Sequence, residues 1–490
     1  MTRFRSILLS ALMVSATTAL AACTARPDDG PIVVSAIGDA PTLADPARGA
    51  LGTPARLMLD MTAQGLVRFD STGQIEPGIA ERWSVIDNGT SYIFRLRDAE
   101  WSDGKPVTAA EVVTVLRRQI AAGSRNVLRP YLSAIEEIVE MTPEVIEIRL
   151  KHPRPDLLKL FAQPEMAILR IAPPGGSGPY RIVSKRRRTV ALRPAFDPAR
   201  SPDDDVVEPS PAANVSLIGE RAARAIVRFD RREANLVTGG TFTDWPLVMT
   251  TQIAPLNRRF DPAAGVFGLA VVNRSGVLAD SENRAAIART IDRAAFVAAI
   301  SPDWQPAAQL LPDQLDSAAP PAIPAWAEAP AVGDPTPRDR IARWRAANPG
   351  ELRLRVAVPR GPGANLLYGY VGAALLSLGI TPERVAIDAP ADLRLIDAVA
   401  PYDSGRWYVA TACQPCSEAA QAAIDAARDA ESPRLRAQQI AVADAALASD
   451  VAFIPLARPL RWSLVSIRLR AWTGNSRAWH PLNHLRNDPN

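Results

Sequence analysis

Between residues 65 and 113, apolar and polar positions alternate in short, well-punctuated blocks. Leu66, Val67 and Phe69 form a brief apolar run that Ser71-Thr72-Gly73 stops with turn chemistry. Pro77-Gly78 predicts a short helical piece ending near Trp83. Apolar residues at Val85-Ile86 and over 92–96 flank Asp87-Asn88-Gly89, where Asn-Gly readily takes the positive φ angles of a tight hairpin. After a second turn at 101–106, Thr108 and Glu111 have capping-box spacing at the head of a helix running to about residue 122. Together these blocks predict a small sheet with a helix behind it.

The same reading extends in both directions. Residues 32–37 predict a strand and 56–64 a helix. Segments 138–141 and 145–151 alternate around Thr142-Pro143 as a hairpin, and 155–162 is a short helix. Residues 266–273 predict a buried strand. Ala286, Ile287, Thr290 and Ile291 recur at helical spacing, so that stretch is core. The Ala- and Pro-rich segment 302–337 predicts an irregular surface excursion. A strand at 352–358, a Gly-rich turn, a helix at 365–378 and a strand at 384–387 make one βαβ-like unit with a parallel pair. Two alanine-rich helices follow at 417–430 and 433–449, then a strand at 451–456.

Composition narrows the class. The chain has 490 residues, 47% hydrophobic and 22% charged, which suits a soluble globular protein of two or three domains. A net charge of +4, with no aromatic-studded basic groove and no zinc pattern, gives no support for nucleic-acid binding. The one dense basic run, Lys185-Arg186-Arg187-Arg188, lies between two apolar segments and reads as a solvated hairpin tip. Arg3 and Arg5, the apolar residues 7–20 and the small residues after them form an export leader. Its end, Leu20-Ala21-Ala22-Cys23, is similar to the lipobox of bacterial lipoproteins, whose cysteine is lipidated; Ala-x-Ala spacing would also serve ordinary cleavage. Removing Cys23 to a lipid leaves Cys413 and Cys416, which an oxidising compartment would pair. The sharper alternative is a thioredoxin-like redox motif, for which residues 407–411 could be the strand and Ser417 the start of the helix, but the chain is several times longer than that fold requires, which favours a structural disulfide. Free or metal-bound thiols complete the alternatives.

Particular strings then suggest a family. The order G-L-V-x-x-D, PG-x-A-E-x-W, a Tyr/Phe strand and W-S-D-G-K-P-V-T-A-x-E-V-V, read from Gly65 to Val113, resembles the family 5 extracellular solute-binding proteins, the peptide- and nickel-type binding components of ABC importers. Gly176-Ser177-Gly178-Pro179-Tyr180 is similar to that family's G-T-G-P-Y, and Asp280 to Ile300 to its D-x-x-x-R-x-A-I-x-x-A-I-D-R helix pair. The tail, through Trp462, Trp472 and Trp479-His480-Pro481-Leu482, resembles its terminal strand and H-P-L ending. Residues 225–229 and 233–239 match its strand followed by a short helix. Where the family continues with Asn-x-x-Tyr-Trp, Arg193 to Pro198 reads RPAFDP, which marks a divergent member.

The resemblance implies an α/β fold of the two-lobe, type II periplasmic-binding-protein architecture, with mixed sheets and a discontinuous first lobe carrying an extra subdomain. Its boundaries would be a leader at 1–22, a tether at 23–30, a first lobe at 31–262 with the subdomain at about 46–170, a second lobe at 263–452 and a return to the first at 453–490. It implies a monomeric lipoprotein, held in the periplasm or envelope by Cys23, that captures a peptide-like or other small solute in the interlobe cleft by hinge closure. It would deliver that solute to a membrane permease and ATPase complex. A lipid-anchored sensor or scaffold, and an envelope thiol oxidoreductase using Cys413 and Cys416, are the readings kept beside it.

Catalysis gets no positive signal, and no cofactor is implied. Gly176-Ser177-Gly178 lacks the Lys-Ser/Thr of a P-loop, and Ser177 is not in a G-x-S-x-G elbow. Gly361 and Gly363 lack the third glycine of a dinucleotide fingerprint. His480 and His484 have i,i+4 spacing but no further ligands nearby, so no metal site is assigned. The candidate ligand-binding set is Thr42, Leu43, Asn273, Arg360, Trp407, Tyr408 and Thr411. In peptide-binding relatives a stretch of the Trp-x-x-x-Asp-Tyr type supplies an aspartate to the peptide's amino group, and Thr411 falls about where that aspartate is expected. A neutral hydroxyl cannot give the same charge-assisted bond, so peptides with a free amino group are expected to bind weakly.

Overall fold

A computed structural model describes residues 30–195, 210–313 and 315–486. The leader, Cys23 with the tether through Asp29, and Phe196-Asp197-Pro198 lie outside the described residues. Two mixed sheets form the body. The first runs, in spatial order, Tyr180–Arg186, Thr189–Pro194, Val215–Glu220, Ile32–Ile37, Leu236–Thr241, Arg461–Val465 and Arg258–Asp261. Its three central strands are parallel and the flanking pairs antiparallel. The second runs Thr381–Val385, Arg353–Ala357, Leu393–Val399, Gly265–Val271 and Phe453–Ala457. Strand Gly265–Val271 is buried along its whole length because it lies between two antiparallel neighbours with helices packed over the sheet. A four-stranded antiparallel sheet, Ala80–Ile86, Ser91–Leu96, Val145–Leu150 and Ile135–Thr142, forms the extra subdomain of the first lobe.

Local chemistry explains much of this. At Asp87-Asn88-Gly89 the φ angles are +51°, +54° and +87°, so the hairpin turn uses the residues that tolerate that region. Helix Ala109–Ile120 begins with a reciprocal capping box, Thr108 Oγ1 accepting from Glu111 N and Glu111 Oε2 from Thr108 N. Glu111 also accepts from Trp101 Nε1 at 2.9 Å, tying the preceding turn to the helix. Among the described residues no helix is long and apolar enough to cross a membrane.

The structure differs from the sequence reading at four elements. The helical piece after Pro77-Gly78 is the strand Ala80–Ile86, since cross-strand pairs such as Trp83 with Phe94 outweigh a short stretch's own preference. Residues 225–229 belong to the helix Ala222–Asp230, whose Ala222, Ala225, Ile226 and Phe229 bury one face at helical spacing. Residues 236–241 form the strand that pairs with Ile32–Ile37. Residues 407–411 lie in the helix Gly405–Ala412, started by Ser404 Oγ accepting from Arg406 N. The strand Phe453–Ala457 pairs with Gly265–Val271 in the second sheet, so the chain returns to the first sheet after it. The two sheets are therefore joined by short crossings at 262–264 and 458–460, and the cleft opens beside them.

Candidate functional site

The end of strand Leu236–Thr241 faces the start of helix Thr53–Thr62. Gly239, at φ +83°, allows this approach, because a Cβ there would stand 3.0 Å from the Thr53 side chain. Across from them the last residues of strand Leu393–Val399 and the loop through Pro401 close the opposite wall. Between these walls lies a cavity of about 530 Å³. The first lobe contributes Arg56, Thr238, Arg461 and the tail residues 477–480; the subdomain contributes Tyr131, Gln163 and Glu165; the second lobe contributes residues 397–401, Trp407 and Thr411.

The wall's charges are paired. Arg56 Nε lies 2.7 Å from Glu165 Oε1, and the guanidinium sits 4.6 Å above the Trp479 ring. Arg461 Nη1 donates to Asp397 Oδ1 at 2.8 Å. Burial pushes the Asp397 carboxyl above the usual carboxylate range, with Arg461 opposing that effect. Arg477 Nη1 donates to Ala400 O at 2.7 Å, and its other terminal nitrogen pairs with Asp403. Burial pulls Arg477 down to about 10, against the pull of Asp156.

Further contacts hold the two walls together. Lys159 of the subdomain also pairs with Asp403, and Gln163 Nε2 donates to Pro401 O at 2.7 Å. Tyr131 and Tyr402 meet edge to face at 5.7 Å. Buried Arg436 of the second lobe lies 3.5 Å from Asp156 of the subdomain and donates to Ser404 Oγ at 2.7 Å. The lobes are thus closed over the cavity.

Of the residues proposed from sequence, Trp407 and Thr411 stand in the wall. Trp407 is only 4% exposed, and Thr411 Oγ1 is buried with no hydrogen-bond partner among the described residues. Tyr408 does not reach the cavity. It points into the core, edge-on to Trp407 at 5.0 Å, and burial raises its hydroxyl to about 12. Thr42 is exposed on the loop after the first strand, outside the cavity lining. Leu43 lines a separate depression on the first lobe with Leu51, Leu169 and Ile171. Asn273 donates to Asp392 Oδ1 at 2.7 Å, a loop tether away from the cleft. Arg360 is exposed ahead of helix Pro362–Ser377.

Sequence reasoning missed Arg56, Glu165, Asp397, Arg461, Arg477 and Trp479. One signal was available, a lone carboxylate in the otherwise apolar end of the strand Leu393–Val399. Cys413 and Cys416 are joined as a disulfide directly after helix Gly405–Ala412. A helix therefore precedes the pair where a thioredoxin-like motif has a strand. His480 meets Asp261 at 3.1 Å and His484 meets Glu76 at 2.9 Å, both as tethers of the C-terminal tail. No cluster of three potential metal ligands occurs among the described residues.

Two mixed sheets joined by two short crossings, with a polar, aromatic-walled cavity beside them, define a two-lobe binding protein of the type II periplasmic kind. The family described as bacterial extracellular solute-binding proteins, family 5 (middle), matches residues 74–337. This chain belongs to the family 5 extracellular solute-binding proteins. It is 38% identical over 94 residues to a probable deoxycholate-binding periplasmic protein of Escherichia coli, covering 19% of this chain and 17% of that one. It is 35% identical over 101 residues to a periplasmic oligopeptide-binding protein of Haemophilus influenzae, covering 20% and 18%. The matched stretches thus span less than a fifth of either relative's length. The solved structure of Haemophilus influenzae OppA in complex with RPPGFSPFR superposes with a TM-score of 0.76 at 15% identity, covering 94% of this chain and 99% of that one, which speaks to the fold.

Proposed function

We propose that this protein is the substrate-binding component of an ABC importer. It captures a peptide-like or other small solute between its lobes and presents it to a membrane permease. The observation that carries this reading is the cavity of about 530 Å³, walled by three separate parts of the chain and closed by interlobe contacts. Its size falls within the range for small-molecule sites, about 300–1,000 Å³. The crossings at 262–264 and 458–460 are short enough to act as a hinge. A solute touching both walls makes contacts only in the closed form, which is the differential affinity that closure requires. Within this reading, the lipid at Cys23 keeps the protein near its permease and the molecule works as a monomer. Catalysis plays no part. The two relatives are named for deoxycholate and for oligopeptides, so family membership leaves the ligand open.

The test is native mass spectrometry of the mature protein from its own host, followed by small-angle scattering of the stripped protein with and without the recovered solute. A co-purifying solute that shrinks the radius of gyration on re-addition supports the reading. Absence of any solute, together with scattering that no added solute changes, refutes it.

A further inference from the structure

The cavity's open donor groups say what kind of solute it takes. Three guanidiniums, Arg56, Arg461 and Arg477, stand in the wall against two carboxylates, Glu165 and Asp397. Arg477 is paired in turn with Asp403, which Lys159 also reaches, so each guanidinium of the wall has a carboxylate partner. Both wall carboxylates are already engaged, Glu165 by Arg56 and Asp397 by Arg461. An entering ammonium would meet no free carboxylate.

The donors left open in the wall lie on Arg56. Its Nε faces Glu165, but Nη2 makes only long contacts, 3.3 Å to Gln163 and 3.5 Å to Glu165. No hydrogen bond reaches Nη1 among the described residues. The helix bearing Arg56 starts at Thr53, itself in the wall, and its N-cap Gly52 offers no capping side chain. The positive end of that helix therefore adds to the field at Arg56. On the opposite wall Thr411 Oγ1 is a buried, unpartnered hydroxyl and brings no charge. Trp407, Tyr131 and Trp479 supply aromatic surface for an apolar or planar body.

Resting on the solute-binding reading above, we infer that the ligand is a compact anion: its carboxylate, or an equivalent oxyanion, is taken by Arg56, its body lies against the aromatic wall, and no ammonium is needed. A carboxylate would complete the donor edge of Arg56 with charge-assisted hydrogen bonds. An amine in the same place would be desolvated beside like charge.

The test uses the mature protein stripped of ligand and a thermal-shift library in four classes. These are carboxylates without an amine (benzoate, glutarate, N-acetyl dipeptides), zwitterions (amino acids, free dipeptides), cations (dipeptide amides, polyamines) and neutral sugars. Stabilising hits are expected to concentrate among the amine-free carboxylates. By calorimetry, amidating the carboxylate of the best hit should weaken binding at least tenfold. Arg56→Gln should erase that difference, with the ligand-free Tm read separately because the variant also leaves Glu165 without its cation, and Arg56→Lys should restore part of it. Thr411→Asp should reverse the preference, with free-amine compounds gaining at least tenfold. Hits concentrated among cations or sugars, or equal loss of acid and amide in Arg56→Gln, would overturn the inference and leave solute binding standing. A library without hits, in a protein from which no solute co-purifies, would overturn both.

Discussion

Asp444, on helix Pro433–Asp450, is 3% exposed. Its Oδ2 accepts from Ala322 N at 2.8 Å. Burial pushes its carboxyl up to about 6 from the usual 3.8, with the Ala322 amide and the Arg458 guanidinium pulling the other way. At about 1.4 kcal/mol per pH unit between those values, holding this group ionised in the fold costs about 3 kcal/mol. The sign follows from the raised value. Below 3.8 both states hold the proton and the fold bears no cost. Between 3.8 and 6 the unfolded chain releases its proton first and stability falls; above 6 the loss is complete. Asp444→Asn keeps the oxygen that accepts from Ala322 and cannot ionise. The stability of the Asn variant relative to wild type should therefore rise by about 2 kcal/mol between pH 4 and pH 7.5, the remainder falling below pH 4. For a cooperative unit of the second lobe's size, about 2–4 °C of Tm follows each kcal/mol, so the Tm difference should move by about 4–8 °C. Differential scanning calorimetry of both proteins across that pH range reads it directly. A Tm difference that stays constant with pH would refute the reasoning.

Further outcomes follow from the same structure. Arg284, 1% exposed, bonds Asp450 O, Leu278 O, Ala279 O and the Asp450 carboxylate; Arg284→Met should cost about 3–5 kcal/mol and lower Tm by at least about 6 °C, and a smaller fall by calorimetry would contradict it. The Cys413–Cys416 loop is very short, so replacing both with Ser should cost at most about 2 kcal/mol in chemical denaturation, and alkylation of the native protein without reductant should find no thiol at either position. Cys23→Ser should move the protein from the membrane fraction to the soluble periplasmic fraction, whereas unchanged membrane partition would exclude lipidation there.

What could be read from the sequence was what short-range chemistry decides. The turn at Asp87-Asn88-Gly89 and the capping box at Thr108 and Glu111 depend on residues within a few positions of one another, and both are where their spacing put them. The helix–strand order over 222–241 was misread because Leu236 and Val237 take their conformation from pairing with Ile32–Ile37, some two hundred residues away. The site is worse placed still. Arg56 depends on Glu165 and Trp479, and Asp397 on Arg461, so each charge becomes intelligible only beside a partner remote in sequence. Trp407 and Thr411 were found through one contiguous string, while the other five ligand-set residues lie outside the cavity wall.

The ion pairs also divide by where they stand relative to the hinge, and that division predicts how the lobes open. Arg461 follows the crossing at 458–460, and Asp397 pairs in register with Phe267, three positions beyond the crossing at 262–264. Their salt bridge sits close to the axis and can persist as the lobes part. Asp403 lies further out, held by Lys159 of the subdomain and Arg477 of the tail, so opening must break those contacts. Lys159 and Asp403 side chains are 29% and 40% exposed, so that arm of the latch contributes little, on the order of 1 kcal/mol, and salt screens it, whereas the Arg477 side chain is 3% exposed and its pair is shielded. Lys159→Gln, which leaves the Arg477–Asp403 pair in place, should shift the ligand-free equilibrium about fivefold toward the open form and flatten its dependence on ionic strength. Distances between spin labels on the two lobes, measured at low and high salt, read both effects. If the variant opens no further than wild type and keeps the same salt dependence, the lobes are held by the shielded contacts instead, Arg436 with Asp156, Gln163 with Pro401 and Tyr131 with Tyr402.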